Sequence, residues 1–310
     1  MSGQAFAKRV TRGRRFESDS GLLARPLSEL LRVPADGIDV RSIDTRATPA
    51  SPGGKAAGAK LQKRLAPRLG ELQEMLYAEG YTGGRRSLLL VLQGLDTSGK
   101  SGTIKHVLGQ LDPQGTRIAA FKAPTPEERR HDFLWRVRRR LPDPGLIGVF
   151  DRSHYEEVLV ARVRGLVPRA TWSRRYPAIN RFEERLAAGG TTIVKCFLHI
   201  SFDEWRERQL ARLDDPTKHW KFNPGDLDDG ALWERYLDAY DDALSRCNSD
   251  AAPWYVVPAD RKWHRNLAVT RLLVEHLEGL DLRWPPARFD IAEMRERVMN
   301  VQPAAGAARA

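Results

Sequence analysis

Cysteine is scarce in this chain: two residues among 310, Cys196 and Cys247. They lie far apart with no paired-ligand spacing, which argues against a disulfide framework or a zinc site and leaves two buried structural thiols. Long apolar runs are missing too, since no stretch approaches the roughly 20 residues that a membrane helix needs. The N-terminal MSGQAFAKRVTRGRRF is basic but lacks the apolar core and cleavage site of a secretory signal, so a cytoplasmic location is expected. The histidines show no HExxH or comparable metal spacing. There is no repeat at any obvious period. Recognition-helix, RNA-binding and zinc-finger signatures are absent, and the aromatics are not interleaved with the basic runs, so nucleic acid is not an expected partner. Acidic residues are outnumbered, 40 against 51 Lys and Arg, for a net charge of +11. That excess favours a polyanionic partner such as a nucleic acid, an acidic lipid surface or a phosphate chain, and charge alone cannot choose among them.

What is present is organised around Ser87 to Thr103. The apolar run Leu88-Leu89-Leu90-Val91-Leu92 leads into Gly94-Leu95-Asp96-Thr97-Ser98-Gly99-Lys100-Ser101, which satisfies G-x-x-x-x-G-K-[ST]. In such a loop successive backbone N–H groups cradle phosphate oxygens, the lysine reaches the terminal phosphates, and the hydroxyl after it can hold Mg. A helical pattern follows from Thr103 to Leu108, so a bound phosphate would meet a helix N-terminus, where the dipole favours negative charge.

Around this stretch, residues 1 to about 27 read as a basic flexible tail, 28–290 as the catalytic unit, and 291–310 as a C-terminal tail whose last ten residues are expected to be disordered. Residues 46–59 are rich in Pro, Gly and Ala and read as linker. A helix is expected from Leu61 to Glu79, with Pro67 as a kink or its true start, and Gly80, Gly83 and Gly84 ending it. Beyond the loop, apolar runs (117–121, 146–150, 191–200, 254–257) alternate with helical segments (127–141, 172–187, 203–213, 231–244, 262–277). This alternation predicts an α/β fold with about five strands in a doubly wound parallel sheet, helices on both faces.

In such a sheet ligands bind beyond the carboxyl ends of the strands. Asp151, directly after the 146–150 strand, stands where a carboxylate helps hold Mg, and Arg152 beside it can span phosphates bidentately. Asp96 puts a carboxylate inside a loop built for anions, which argues for Mg bridging between it and a nucleotide. The arginine-bearing segment 203–230 has the make-up of a lid that closes over phosphates, with Arg208 and Arg212 four residues apart on one helix face as candidate arginine fingers. The basic run Arg129 to Arg140, with Lys122, Arg162 and Arg164, offers a groove for a polyanion. His154 reads as structural rather than as a base.

The motifs LQGLDTSGKSGTIKHV, FKAPTPEERRHDFLWR, FDRSHYEEVLVARV, ERQLARLDDPTKHWKF and APWYVVPADRKWHRN, in that order, make the sequence resemble the family-2 polyphosphate kinases over about residues 28–290. The resemblance implies a P-loop kinase-like three-layer fold with a helical lid, and reversible Mg-dependent phosphoryl transfer (Mn as the alternative ion) between inorganic polyphosphate and nucleotides of the AMP, ADP, GMP and GDP class. It further implies a homo-oligomer, dimer or tetramer. Under it, Lys100 grips the transferring phosphate, Asp96 and Asp151 hold the metal, and Arg152 and Arg212 neutralise the transition state. Gly94, Thr97, Ser98, Gly99, Ser101 and Gly102 cradle phosphate with Arg208, while Lys122, Arg130, Arg136, Arg152 and Lys221 carry the polyphosphate. The DRSHYEEV form, with Glu156, is similar to the subgroup that phosphorylates both nucleoside mono- and diphosphates, although Asp151 stands where that subgroup often has Asn. Ser101 likewise stands where many relatives have Asp or Gly, which allows it a direct Mg contact. Two other readings share parts of this pattern: an ATP-dependent nucleoside or nucleoside monophosphate kinase, and, more distantly, a nucleic-acid-binding protein.

Overall fold

Every residue of the Ser87–Gln93 run is buried, which is the property that makes it the middle strand of a sheet covered on both faces. The structure is a computed structural model, and it describes residues 25–302. In chain order the helices and strands are α1 (Leu27–Leu31), α2 (Lys55–Tyr81), β1 (Ser87–Gln93), α3 (Lys100–Val107), β2 (Thr116–Ala120), α4 (Trp135–Arg138), β3 (Ile147–Asp151), α5 (Val160–Val163), α6 (Arg169–Ala188), β4 (Thr191–His199), α7 (Phe202–Leu213), α8 (Gly225–Ala231), α9 (Trp233–Arg246), β5 (Trp254–Pro258), α10 (Lys262–Glu278) and α11 (Ile291–Asn300). The five strands are all parallel, in the order β2-β3-β1-β4-β5. On one side α10 packs on α2 and α3, and elsewhere α5 packs on both α6 and α9. This is the expected α/β fold of the P-loop kinase-like kind. β1 is central, so the loop leaving it opens at the middle of the sheet's carboxyl edge. In register, Leu92 of β1 pairs with Asp151 of β3, which brings the acidic strand end beside the loop entrance.

Several local expectations are corrected. The helix expected over 127–141 breaks into a 3-10 turn at Glu128–Arg130 and the single turn α4. Asp132 interrupts it, its side chain accepting from the Leu134 N–H at 3.0 Å and from Arg138 at 2.9 Å, a local bond that competes with helix. The linker expected over 46–59 ends early, because α2 starts at Lys55, and Pro67 lies inside that helix rather than at its start. Gly58 belongs to α2 as well: a Cβ there would fall 2.4 Å from the Trp263 ring, so the glycine lets α10 approach. Segment 203–230 holds α7, a 3-10 turn at Pro216–Lys221 and α8, and the next helix begins at Trp233 instead of Ala231. At the amino end, Leu27 is only 1% exposed and so packs into the core. At the other end, residues 291–300 form α11, none of whose residues is buried. The remainder of the expected basic tail (1–24), and 303–310 of the expected disordered end, lie outside the described residues.

Beneath the sheet's carboxyl edge sits a buried ionic cluster. Lys195 of β4 donates to Glu183 at 2.6 Å, to the Tyr155 hydroxyl at 2.8 Å and to the Cys247 carbonyl at 2.7 Å. Glu183 also accepts from Tyr155 at 2.9 Å and meets His154 Nε2 at 3.1 Å. Burial raises the Glu183 carboxyl, but Lys195 and His154 more than reverse this and hold it below the usual range. The cluster ties the segment after Asp151-Arg152 to α6 and β4, with His154 buried within it.

Candidate active site

The loop from β1 to α3 is shaped by backbone conformations that most residues avoid. Gly94 and Gly99 have φ of 152° and 101°, and Thr97 takes 61° without being glycine. Across the gap, Arg152 also sits at positive φ, 63°, and its N–H donates to the Leu92 carbonyl at 3.0 Å. Such left-handed non-glycine residues persist where the surroundings impose them, and they concentrate at functional sites. No side chain caps α3, whose N-cap is Gly99, so the orphan N–H groups of its first turn face the loop's interior. The hydroxyls of Thr97, Ser98 and Thr103 are buried without a hydrogen-bond partner. Buried polar groups are normally satisfied; three orphans around one uncapped helix start fit a site built for phosphate oxygens.

Lys100 lies inside this loop, its Nζ donating to Gly94 O at 2.7 Å and Leu95 O at 3.2 Å. An ammonium has three donors, so one is left. Burial and then the charge of Arg152 lower the lysine's pKa, while Asp151, Asp96 and Glu156 oppose the shift. These groups share one electrostatic environment. Arg152 in turn is raised despite its burial, by Glu156, Asp96 and Asp151. Glu156 is raised by burial, with Arg152 and Lys100 working against it.

The 203–230 segment reaches this cluster through Arg212. Its guanidinium donates to Asp96 at 2.7 Å, to the Lys221 carbonyl at 3.1 Å, and to Asp226 at 3.4 Å. Gln209 adds a contact to Asp96 at 3.3 Å. Burial raises the Asp96 carboxyl, but Lys100 and Arg212 outweigh it and hold Asp96 below the usual range; Asp226, buried beside the charged Asp96, is pushed up to about 6. Gln209 and Asp226 escaped the sequence reading because only the fold brings them to Asp96.

The structure therefore gathers Gly94 to Gly102, Asp96, Lys100, Asp151, Arg152 and Arg212 into one place. Ser101 is exposed at its edge. The other candidates are distributed differently. Arg208 lies behind the loop, not above it: it donates to Thr97 O and Ala259 O, both at 2.7 Å, to Asp260 O at 3.0 Å, and to Glu204 at 2.7 Å. Its expected contact with phosphate gives way to a bracing one. Arg136 is 7% exposed and turned inward, onto the Lys122 carbonyl at 2.7 Å and toward Glu128 and Glu157 at 3.5 and 3.7 Å. It is therefore not on an open polyanion groove, because its charge is matched by acids the sequence placed eight residues before it and twenty-one after it. Arg130 is exposed and pairs with Glu127 at 3.3 Å, while Lys122 is exposed just past the end of β2. Lys221 stands in the lid against the Trp220 ring, 5.0 Å from its centre.

Among the described residues no group of three or more His, Cys, Asp or Glu side chains is arranged to hold a metal. The hard carboxylate oxygens of Asp96 and Asp151, which both act on the Lys100 charge, are donors of the kind Mg takes, since it is held by one or two carboxylates plus substrate phosphates.

A phosphate loop at the centre of a parallel sheet, an Asp-Arg pair at the end of the adjacent strand and an arginine of the 203–230 segment on the loop carboxylate define a phosphotransferase of the P-loop kinase-like class. A family model described as polyphosphate kinase 2 matches residues 54–284. An AMP/ADP-polyphosphate phosphotransferase of Meiothermus ruber is 48% identical over 255 residues, which is 82% of this chain and 94% of the relative. An ADP-polyphosphate phosphotransferase of Rhodopseudomonas palustris is 43% identical over 257 residues, 78% of this chain and 88% of the relative. The crystal structure of polyphosphate kinase 2 from Arthrobacter aurescens superposes with a TM-score of 0.87 at 50% identity, covering 90% of this chain and 98% of that one. The chain belongs to the polyphosphate kinase 2 family.

Proposed function

We propose that this enzyme transfers a phosphoryl group reversibly between inorganic polyphosphate and nucleoside mono- and diphosphates, with Mg (or Mn) as the metal. The observation that carries the reading is the convergence of Lys100, Asp151-Arg152 and the lid residue Arg212 on one buried loop. Relatives named for AMP, for ADP and for both support the nucleotide class.

Phosphoryl transfer asks the protein for alignment and charge neutralisation rather than covalent chemistry. In this reading the loop amides and Lys100 hold the transferring group, and Arg152 approaches the same oxygens from β3. Asp96 and Asp151 would hold the metal, which when bound offsets the negative charge shared by two phosphate chains. Arg212 pairs with Asp96 at 2.7 Å; on lid closure it would face a phosphate instead, and Asp96 would then be free to hold the metal. Closing the lid also excludes water, which would otherwise compete with the nucleotide as acceptor. Lys122 and Lys221, both exposed, flank the entrance on which a polyanion would lie. The protein works as a homo-oligomer in the cytoplasm under this proposal, with no nucleic acid or membrane partner.

Donor identity tests the proposal. Purified protein with Mg and AMP, ADP, GMP or GDP should form the next higher phosphate when given polyphosphate. Product from ATP but none from polyphosphate would overturn the proposal in favour of a nucleoside monophosphate kinase.

A further inference from the structure

Arg265 is the least explained charge in the molecule. It lies in the first turn of α10, is 3% exposed, and makes no ion pair among the described residues. Its guanidinium is used in two ways. Nε and one terminal nitrogen fork onto Asn266 Oδ1 at 3.1 and 2.8 Å, which fixes the plane of the group. The other terminal nitrogen donates to the Ser98 carbonyl at 3.3 Å. That plane lies against the underside of the phosphate loop. A Cβ built on Gly99 would meet it at 1.7 Å, and one built on Gly102 at 3.0 Å. Arg208 holds the adjacent carbonyl, that of Thr97, at 2.7 Å. Two consecutive loop carbonyls are thus pinned by two arginines, and Arg265, unlike Arg208 with its Glu204, has no acid partner among the described residues.

We propose that Arg265 is a positioning residue for phosphoryl transfer: it fixes the Ser98–Gly99 peptide from behind, and its buried charge is balanced only when phosphate occupies the loop. The physical basis is that a buried charge without a counter-ion is costly and a nearby anion offsets it. Burial, followed by the neighbouring Arg208 charge, brings the Arg265 pKa down to about 10. With the guanidinium 3% exposed and no acid beside it among the described residues, a multiply charged phosphate held by the loop would offset that charge across the Ser98–Gly99 peptide. In a structural role alone, by contrast, Arg265 would contribute equally with and without ligand.

This inference rests on the loop being the phosphate site, and the experiment separates the two. Wild type, Arg265→Met and Arg265→Lys are melted with and without tripolyphosphate, and KM and kcat are measured for each. Wild type should gain Tm with tripolyphosphate; absence of any gain there rejects the loop as the phosphate site rather than the role of Arg265. Arg265→Met, which removes the charge and keeps much of the volume, should weaken tripolyphosphate binding by at least about tenfold while its ligand-free Tm changes little. Arg265→Lys should recover most of the affinity through its charge but not kcat, because an ammonium cannot bond Asn266 and Ser98 in one plane. Affinity retained within about twofold in Arg265→Met, an equal loss of Tm with and without ligand, or loss of folding in both variants would each overturn the assignment.

Discussion

At the scale of single residues, Asp96 and Asp151 have different surroundings although the same metal-holding role is proposed for both. Asp96 already has a cation, Arg212, at 2.7 Å. Asp151 ends β3 and is fixed by the sheet itself through its register with Leu92. Asp151→Asn should therefore leave the fold intact and lower turnover with Mg by about 10²–10³-fold, the loss typical of removing one preorganised electrostatic contact; steady-state kinetics with circular dichroism as a folding control checks this. Arg208 predicts the opposite balance. Since it braces backbone carbonyls of the loop and of the β5–α10 connection, Arg208→Ala should cost about 3 kcal/mol of stability by leaving those carbonyls unsatisfied, measurable by urea unfolding. The two cysteines offer a simpler check. Burial alone raises the Cys196 thiol well above its usual value, and burial brings Cys247 up to about 12. Neither should react with a thiol reagent at about pH 8 in the native protein, and both should react once it is unfolded.

Elements were legible in the sequence to the degree that a single face decided them. The five strands were found within a residue or two because each is an apolar run with turn residues around it. The helix expected at 127–141 is broken because Asp132, in the middle of an arginine-rich amphipathic pattern, bonds locally through its short side chain. The pattern likewise points Arg136 to a polyanion groove, whereas only the fold brings Glu128 and Glu157 to it. The loop, Lys100, Asp151 and Arg152 were legible because they are consecutive or at a strand end. Arg212 was legible by its lid, whereas the bracing role of Arg208 was not, since both arginines share a helix face and differ only in what the fold puts opposite them. At this scale α2 and α10 make a direct prediction. Gly58→Leu would drive a side chain into the Trp263 ring, and overpacking of this kind costs typically about 1–3 kcal/mol, visible as a lower Tm with KM unchanged.

For the whole molecule, charge and protonation set the working conditions. Buried His199 and His264 and half-buried His276 all have pKa values lowered, in each case chiefly by desolvation. The unfolded chain therefore binds protons that the folded chain refuses. Stability from these groups is fully present above the ordinary histidine value and is lost as pH falls through the folded values. Tm should decline from about pH 7.5 to about pH 5.5, less steeply than the three histidines alone would give, because Asp226 and Glu156, both raised above the usual carboxylate value, take up protons in the folded chain and act with the opposite sign; Glu183, held low, adds a further loss as pH falls below the usual carboxylate range. The net charge of +11 acts at long range. The KM for polyphosphate should rise as salt is raised from about 0.05 to about 0.5 M, more steeply than the KM for a nucleoside monophosphate, because a longer polyanion meets more of the field that salt screens.

The contact between Arg265 and the two glycines also has an evolutionary reading. Gly99 is constrained twice, by its left-handed backbone and by the guanidinium that fills the space of its Cβ. Gly102 has no such backbone constraint; only Arg265, 3.0 Å from where its Cβ would be, restrains it. Positions 102 and 265 should therefore change together in lineages of this fold. A side chain can enter at 102 most easily in a chain that has first replaced the arginine, so the order in which the two substitutions arise is itself constrained.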